Sequence, residues 1–148
     1  MLVALVNLFF DKKKNALLIP IWRDKDAGYG LDSMKYSELS FPYTEIELGV
    51  EIEKSLEISK LNEQEDKEQK VYLIAGKVKS WRAFQKKYES VTISIISDNV
   101  WKFTKERKMK DGSYGLDKDD LEKYQRKFTE PLSAEQLGKI VLEMLALK

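Results

Sequence analysis

The sequence predicts an α/β (α+β) fold: one mixed or antiparallel sheet with about three flanking helices, built from two pseudo-repeated hairpin–turn–helix halves. Three observations lead there. An eight-residue peptide occurs twice, as Lys25-Asp26-Ala27-Gly28-Tyr29-Gly30-Leu31-Asp32 and Lys110-Asp111-Gly112-Ser113-Tyr114-Gly115-Leu116-Asp117, with six positions identical. A pair of apolar, strand-like runs precedes each copy, and a proline followed by a helix-start pattern comes after each. Two copies are too few for a solenoid, which needs at least about three stacked repeats. With 148 residues the chain is read as a single domain, 1–148, whose halves span about 1–60 and 80–148 and are joined by a polar connection, 61–70.

The elements follow in chain order. Val3 to Phe10 and Ala16 to Trp22 read as a hairpin with Lys12-Lys13-Lys14 at its tip. Met1 to Phe10 is apolar but has no positive residues before it and lysines where small cleavage-site residues belong, so it reads as a buried strand and not as a signal peptide. It is also far short of the ~20 residues that span a bilayer. Val91 to Ile96 and Val100 to Phe103 form a second hairpin turning at Asp98-Asn99, and Val71 to Ala75 reads as a short strand ending near Gly76. Ser80 to Tyr88 reads as a helix N-capped by Ser80, with Trp81, Phe84 and Tyr88 on one face.

The repeat decides one ambiguous segment. Ile46, Leu48, Val50 and Ile52 alternate with glutamates, as in a half-buried strand. Yet Pro42, Thr44, Glu47, Leu48, Gly49, Ile52 and Leu56 match Pro131, Ser133, Gln136, Leu137, Gly138, Val141 and Leu145, after a four-residue shift relative to the Tyr-Gly peptide. The second copy has helical spacing, and both open with a capping box, Thr44-x-x-Glu47 and Ser133-x-x-Gln136. Both are therefore helices. A glycine inside each, costing about 1 kcal/mol relative to alanine, implies close packing of backbone against the sheet or the other helix.

Composition narrows the chemistry. The chain has no cysteine and no histidine. That excludes a disulfide framework, a thiolate nucleophile, and any Ser-His-Asp or Cys-His arrangement, and it removes the usual zinc and copper ligands. No cofactor or metal is expected, and the chain is read as a cytoplasmic protein that is not an enzyme. Carboxylate or tyrosine chemistry stays open as a third reading, through pairs such as Asp26 with Asp32 or Asp111 with Asp117.

The Tyr-Gly peptide fits neither a phosphate loop nor a calcium loop in register. Tyr29, Gly30, Asp32, Tyr114, Gly115 and Asp117 are assigned to structural turns, with glycine supplying positive φ and tyrosine packing at the core edge. Trp22, Trp81 and Trp101 read as core residues. Net charge is +1, but residues 26–70 hold twelve acidic and five basic residues, and both flanks are positive. Such a field repels nucleic acid and steers a basic partner.

The Gly-Tyr-Gly-Leu peptide, spacer, proline and helix bearing Leu48-Gly49-x-x-Ile52 and ending in Leu56, together with Lys79-Ser80-Trp81 and a strand-rich second half, resemble the CdiI-type immunity proteins of bacterial contact-dependent growth inhibition systems. The resemblance covers most of the chain. It implies a protein that stays in the producer's cytoplasm and binds, one to one, the cognate CdiA C-terminal toxin domain. Such toxins are frequently nucleases, and neutralisation is by occlusion of the active site or substrate surface. It implies no nucleic-acid, membrane or small-molecule partner. The binding residues are expected on electrostatic grounds to be Glu45, Glu51, Glu53, Glu63, Glu65, Asp66 and Glu68. The alternative is a nucleic-acid-associated regulatory binding module using the basic second half.

Overall fold

Each half opens with a hairpin made from its apolar runs. The computed structural model describes residues 2–23, 30–63, 70–97 and 99–148, Leu31 by its backbone alone. β1 (Leu2–Phe10) and β2 (Ala16–Arg23) pair antiparallel with Val6 opposite Pro20. Their turn is closed by Asp11, whose Oδ1 accepts from the Lys13 and Asn15 amides at 2.9 Å. In the second half β5 (Glu89–Ile96) and β6 (Val100–Lys108) pair with Val91 opposite Lys105. Their turn passes through Asn99 at φ 60°, while Asp98 lies outside the described residues.

These hairpins are the same unit twice. Moving from Val6 to Val91 and from Pro20 to Lys105 is the same step along the chain, so the two registers superpose. β1 and β5 then pair antiparallel at the centre of the sheet, with Asn7 opposite Thr92. Those two residues are themselves equivalent under the same step, so a local two-fold axis passes between them.

The short edge strands repeat as well. β3 (Gly30–Asp32) and β4 (Ser37–Leu39) flank β2, and β7 (Tyr114–Gly115) and β8 (Gln125–Phe128) flank β6. The eight strands run β3-β2-β1-β5-β6-β7, with β4 on β2 and β8 on β6, and every pairing is antiparallel. Ala16 faces Leu39 in one half as Trp101 faces Phe128 in the other. The four-residue shift between the copies falls between β7 and β8, where a 3₁₀ turn (Lys118–Asp120) and the short α4 (Leu121–Tyr124) replace the direct link Ser33 to Tyr36.

The Tyr-Gly peptides are therefore edge strands more than turns. Gly30 and Asp32 lie in β3, Tyr114 and Gly115 in β7, and Asp117 precedes the 3₁₀ turn; Tyr29 lies outside the described residues. Among the described residues the glycine with positive φ is Gly112, at 93°, not Gly115. It occupies the tight turn after β6, where Asp111 Oδ1 accepts from the Ser113 amide and hydroxyl.

α1 (Glu45–Leu61) and α5 (Ala134–Leu145) cover one face of the sheet. Both capping boxes form: Thr44 Oγ1 accepts from Glu47 N at 3.1 Å and Glu47 Oε1 from Thr44 N at 2.9 Å, with Ser133 and Gln136 doing the same. Leu48, Ile52 and Leu56 from α1 and Leu137, Val141 and Met144 from α5 close over Val6, Leu8, Val91, Ile93 and Phe103. Where the helices cross, a Cβ on Gly49 would lie 1.7 Å from the Ala134 carbonyl oxygen, and one on Gly138 would lie 1.9 Å from that of Glu45. The contact is reciprocal, as the two-fold demands. Backbone meets backbone.

Among the described residues the other face is covered over its first half alone. Here the structure corrects the sequence reading, because Val71 to Ala75 is helix α2 (Val71–Gly76), followed by α3 (Trp81–Lys87), giving a fourth substantial helix. A five-residue apolar run fits a buried helical turn as well as a strand. Helix wins because Val71, Ala75 and Gly76 then share the face that meets Phe9, Ile19 and Phe84. Trp22 is in the core at 1% exposure, and Trp81 and Trp101 pack half-buried against the two apolar clusters. Among the described residues no helix is long and apolar enough to cross a membrane.

Candidate functional site

Two surfaces stand out, and each lies where the internal two-fold is broken. The first is the outer face of α1. Glu45 and Glu53 are exposed and make no ion pair among the described residues; Glu51 pairs with Lys54 at 3.4 Å and Glu63 with Lys35 at 3.3 Å. Glu57, which charge patterning alone did not single out, is exposed on the same helix and pairs with Lys60 at 3.1 Å. Glu65, Asp66 and Glu68 lie outside the described residues. Such exposed pairs hold the helix by about 0.5 kcal/mol at most, so the acidic field remains available to a partner.

Between these glutamates sit side chains that electrostatic reasoning missed. Ile46 is 50% exposed and Val50 38%, one turn apart on the solvent side, and Phe41 just before the helix is 49% exposed. Phe41 is held against the first hairpin by a 2.9 Å hydrogen bond from its amide to Asn15 and by an edge-on contact with Tyr43. Tyr43 in turn donates to the Lys14 carbonyl at 2.7 Å, and burial, with Asp11 nearby, pushes its phenol up to about 12.

The second helix serves as an internal control. With Gly49 equivalent to Gly138, Ile46 corresponds to Glu135 and Val50 to Lys139. The same solvent-facing positions are thus charged in α5 and apolar in α1. Comparing the two copies position by position is the sequence signal that exposes the difference.

The second surface is a cleft of about 260 Å³ on the opposite sheet face, at the margin of the α2–α3 cover. Phe9, Tyr72, Trp81 and Tyr114 line it, and Glu106 and Thr92 form part of its polar floor. The aromatic wall is fixed from outside. Trp81 Nε1 donates to the Gly112 carbonyl, Tyr114 donates to the Tyr88 carbonyl at 2.8 Å, and Gln85 donates to Ser113 at 2.8 Å.

A string of polar side chains crosses the floor over the two-fold. Tyr72 hydrogen-bonds Asp32 and Asn7. Thr92 Oγ1 lies 3.2 Å from Asn7 Oδ1 and 3.2 Å from Glu106 Oε1. Burial raises the carboxyls of Asp32 and Glu106, with the Tyr72 and Thr92 hydroxyls respectively opposing the rise. Burial and the Asp32 charge hold Tyr72 well above the ordinary phenol range. Asp111 and Asp117, the other carboxylates considered from sequence, are exposed, and Asp111 is occupied by Ser113; Asp26 lies outside the described residues. Among the described residues no three acidic, His or Cys side chains gather to hold a metal ion.

No family model matches the chain, and no curated protein does. Solved structures do. A chain of the CdiA-CT/CdiI toxin and immunity complex from Yersinia pseudotuberculosis has a TM-score of 0.68 at 13% identity, over 99% of this chain and 98% of that one. A protein of unknown function from Neisseria meningitidis has a TM-score of 0.68 at 14% identity, over 97% of this chain and 93% of that one. At these identities the likeness is one of fold. It takes in both pseudo-repeated halves together with the helices between them.

Proposed function

We propose that this chain is a CdiI-type immunity protein, a cytoplasmic inhibitor without catalytic activity that binds the C-terminal toxin domain of a contact-dependent growth inhibition effector one to one and covers its active site or substrate surface. The observation that carries the reading is the outer face of α1, where Ile46 and Val50 are exposed among glutamates while their counterparts in α5 are Glu135 and Lys139. Apolar side chains at the centre of a charged rim are the anatomy of a protein interface. The full-length fold likeness to a chain of a toxin and immunity complex supports a protein partner. An acidic rim suits a toxin that handles phosphates and is therefore basic, such as a nuclease. The absence of His and Cys suits a protein that blocks chemistry instead of performing it.

The internal repeat supplies the test. Ile46→Glu with Val50→Lys gives α1 the exposed residues α5 already has, so the fold is retained. Co-expressed with the C-terminal domain of the large secreted protein encoded immediately upstream, the wild type rescues growth and co-purifies with it. The double variant melts within a few degrees of wild type and loses at least about 30-fold in affinity, the scale of a central hot spot. Continued killing with no wild-type complex removes the immunity reading. A complex indifferent to the double substitution moves the contact off α1.

A second reading rests on a basic cleft of about 640 Å³ beside the first hairpin, where Lys12 and Lys13 meet Lys86 and Lys87. A nucleic-acid module using it would be retained on heparin or RNA in a salt-dependent way. The acidic α1 face argues for the protein partner, and elution at low salt dismisses the nucleic-acid reading.

A further inference from the structure

We propose that the cleft over Asn7 and Thr92 is a receptor for an organic cation with a guanidinium or primary ammonium head. This is independent of the α1 interface and stands on a count of protons. In the string across the floor, the Tyr72 hydroxyl donates to the Asp32 carboxylate, and Asn7 also bonds to Tyr72. The Thr92 hydroxyl has a single proton and two acceptors at 3.2 Å, Asn7 Oδ1 and Glu106 Oε1. One acceptor always goes without. The charged carboxylate is the stronger acceptor and takes the proton, so Asn7 Oδ1 goes without and Glu106 is left, among the described residues, with one neutral donor for its two oxygens.

Glu106 has no compensating cation. It makes no ion pair among the described residues, and Lys102, whose charge reaches it, acts more weakly than burial. A half-buried carboxylate short of donors calls for a ligand that brings both protons and positive charge. The walls favour the same chemistry. Trp81 stands edge-on to Tyr72 at 4.9 Å and to Tyr114 at 5.7 Å, and Phe9 lies 5.6 Å from both tyrosines. Aromatic rings around a carboxylate stabilise organic cations through the ring quadrupole. At about 260 Å³ the space suits one side-chain-sized head group.

The probes are butylguanidinium and butylammonium, with the neutral pentanamide as control, titrated into the full-length protein and followed by the Trp81 indole and Thr92 amide NMR signals. Both cations shift these signals saturably, and pentanamide does not. Glu106→Gln, which keeps the shape and removes the charge, weakens binding at least about tenfold, as expected for losing a charge-assisted hydrogen bond, while its melting temperature stays within a few degrees. No saturable shift, equal response to pentanamide, or undiminished binding by Glu106→Gln overturns the proposal. Adding the upstream-encoded toxin domain separates two sources of the cation. Displacement of bound butylguanidinium assigns it to an Arg or Lys of the partner, and retention in the complex assigns it to a free amine. Failure of that complex to form leaves the probe titration intact, so the two readings fail separately.

Discussion

Single polar side chains do structural work here that regular hydrogen-bond ladders cannot do. Ser59, fully buried near the end of α1, accepts from the Leu5 amide at 2.9 Å and donates to the Ile21 carbonyl at 2.7 Å, tying the helix to β1 and β2 at once. Asn62 follows at φ 51° and plays the missing strand for Arg23, accepting its amide at 2.6 Å and donating to its carbonyl at 3.1 Å. Lys105 places its ammonium 2.9 Å from the Leu145 carbonyl, a cation at the negative end of α5. Ser59→Ala leaves a buried donor and a buried acceptor without partners, each costing about 1–3 kcal/mol. We expect a net loss of about 2–3 kcal/mol, since alanine also removes a polar group from an apolar site. Urea denaturation checks it, and a loss below 1 kcal/mol, on the order of a single exposed hydrogen bond, would show that water reaches both groups.

At the scale of elements, the α1–α5 crossing is where sequence and structure agree most closely. The matched glycines required close backbone approach, and the structure supplies it between the two helices, with glycine Cα–H groups facing carbonyls across the contact. Gly49→Ala or Gly138→Ala gains about 1 kcal/mol of helix propensity but drives a methyl into the opposite backbone. Each is expected to destabilise by about 2 kcal/mol net. The double variant should lose less than the sum, because separating the helices once relieves both clashes; additive losses in thermal or urea unfolding would mean the helices do not move as a unit. This much was legible because capping boxes and glycines act locally and appear twice. The α2 segment was not, since its helical state depends on Phe9 and Phe84 from distant elements. The cleft was likewise hidden. Its residues come from β1, α2, α3, β5, β6 and β7, and no stretch of sequence holds two of the key polar groups together.

Across the whole molecule, the frame is two-fold and the surfaces are not. One sheet face carries two equivalent helices whose outer sides have diverged, charged on α5 and acidic-apolar on α1. The other face is covered over β1 and β2, and the cleft opens where that cover stops. On the immunity reading proposed above, a duplicated scaffold would place recognition in the differences: the common positions hold the fold, and the divergent ones are free to fit a partner. The charge distribution follows the same division, with net charge +1 overall but an acidic excess of seven concentrated in residues 26–70. At physiological salt such a patch is felt over only about 8 Å, so it acts on encounter and orientation more than on the final contact. Reversing Glu45, Glu53 and Glu57 to lysine should therefore slow association with the toxin domain by about tenfold or more at low salt and flatten its salt dependence. Dissociation, which the proposed interface assigns to Ile46 and Val50, should change less. Stopped-flow association across a salt series reads both quantities. An association rate and slope identical to wild type would remove the acidic rim from the interface and leave the apolar pair to act alone.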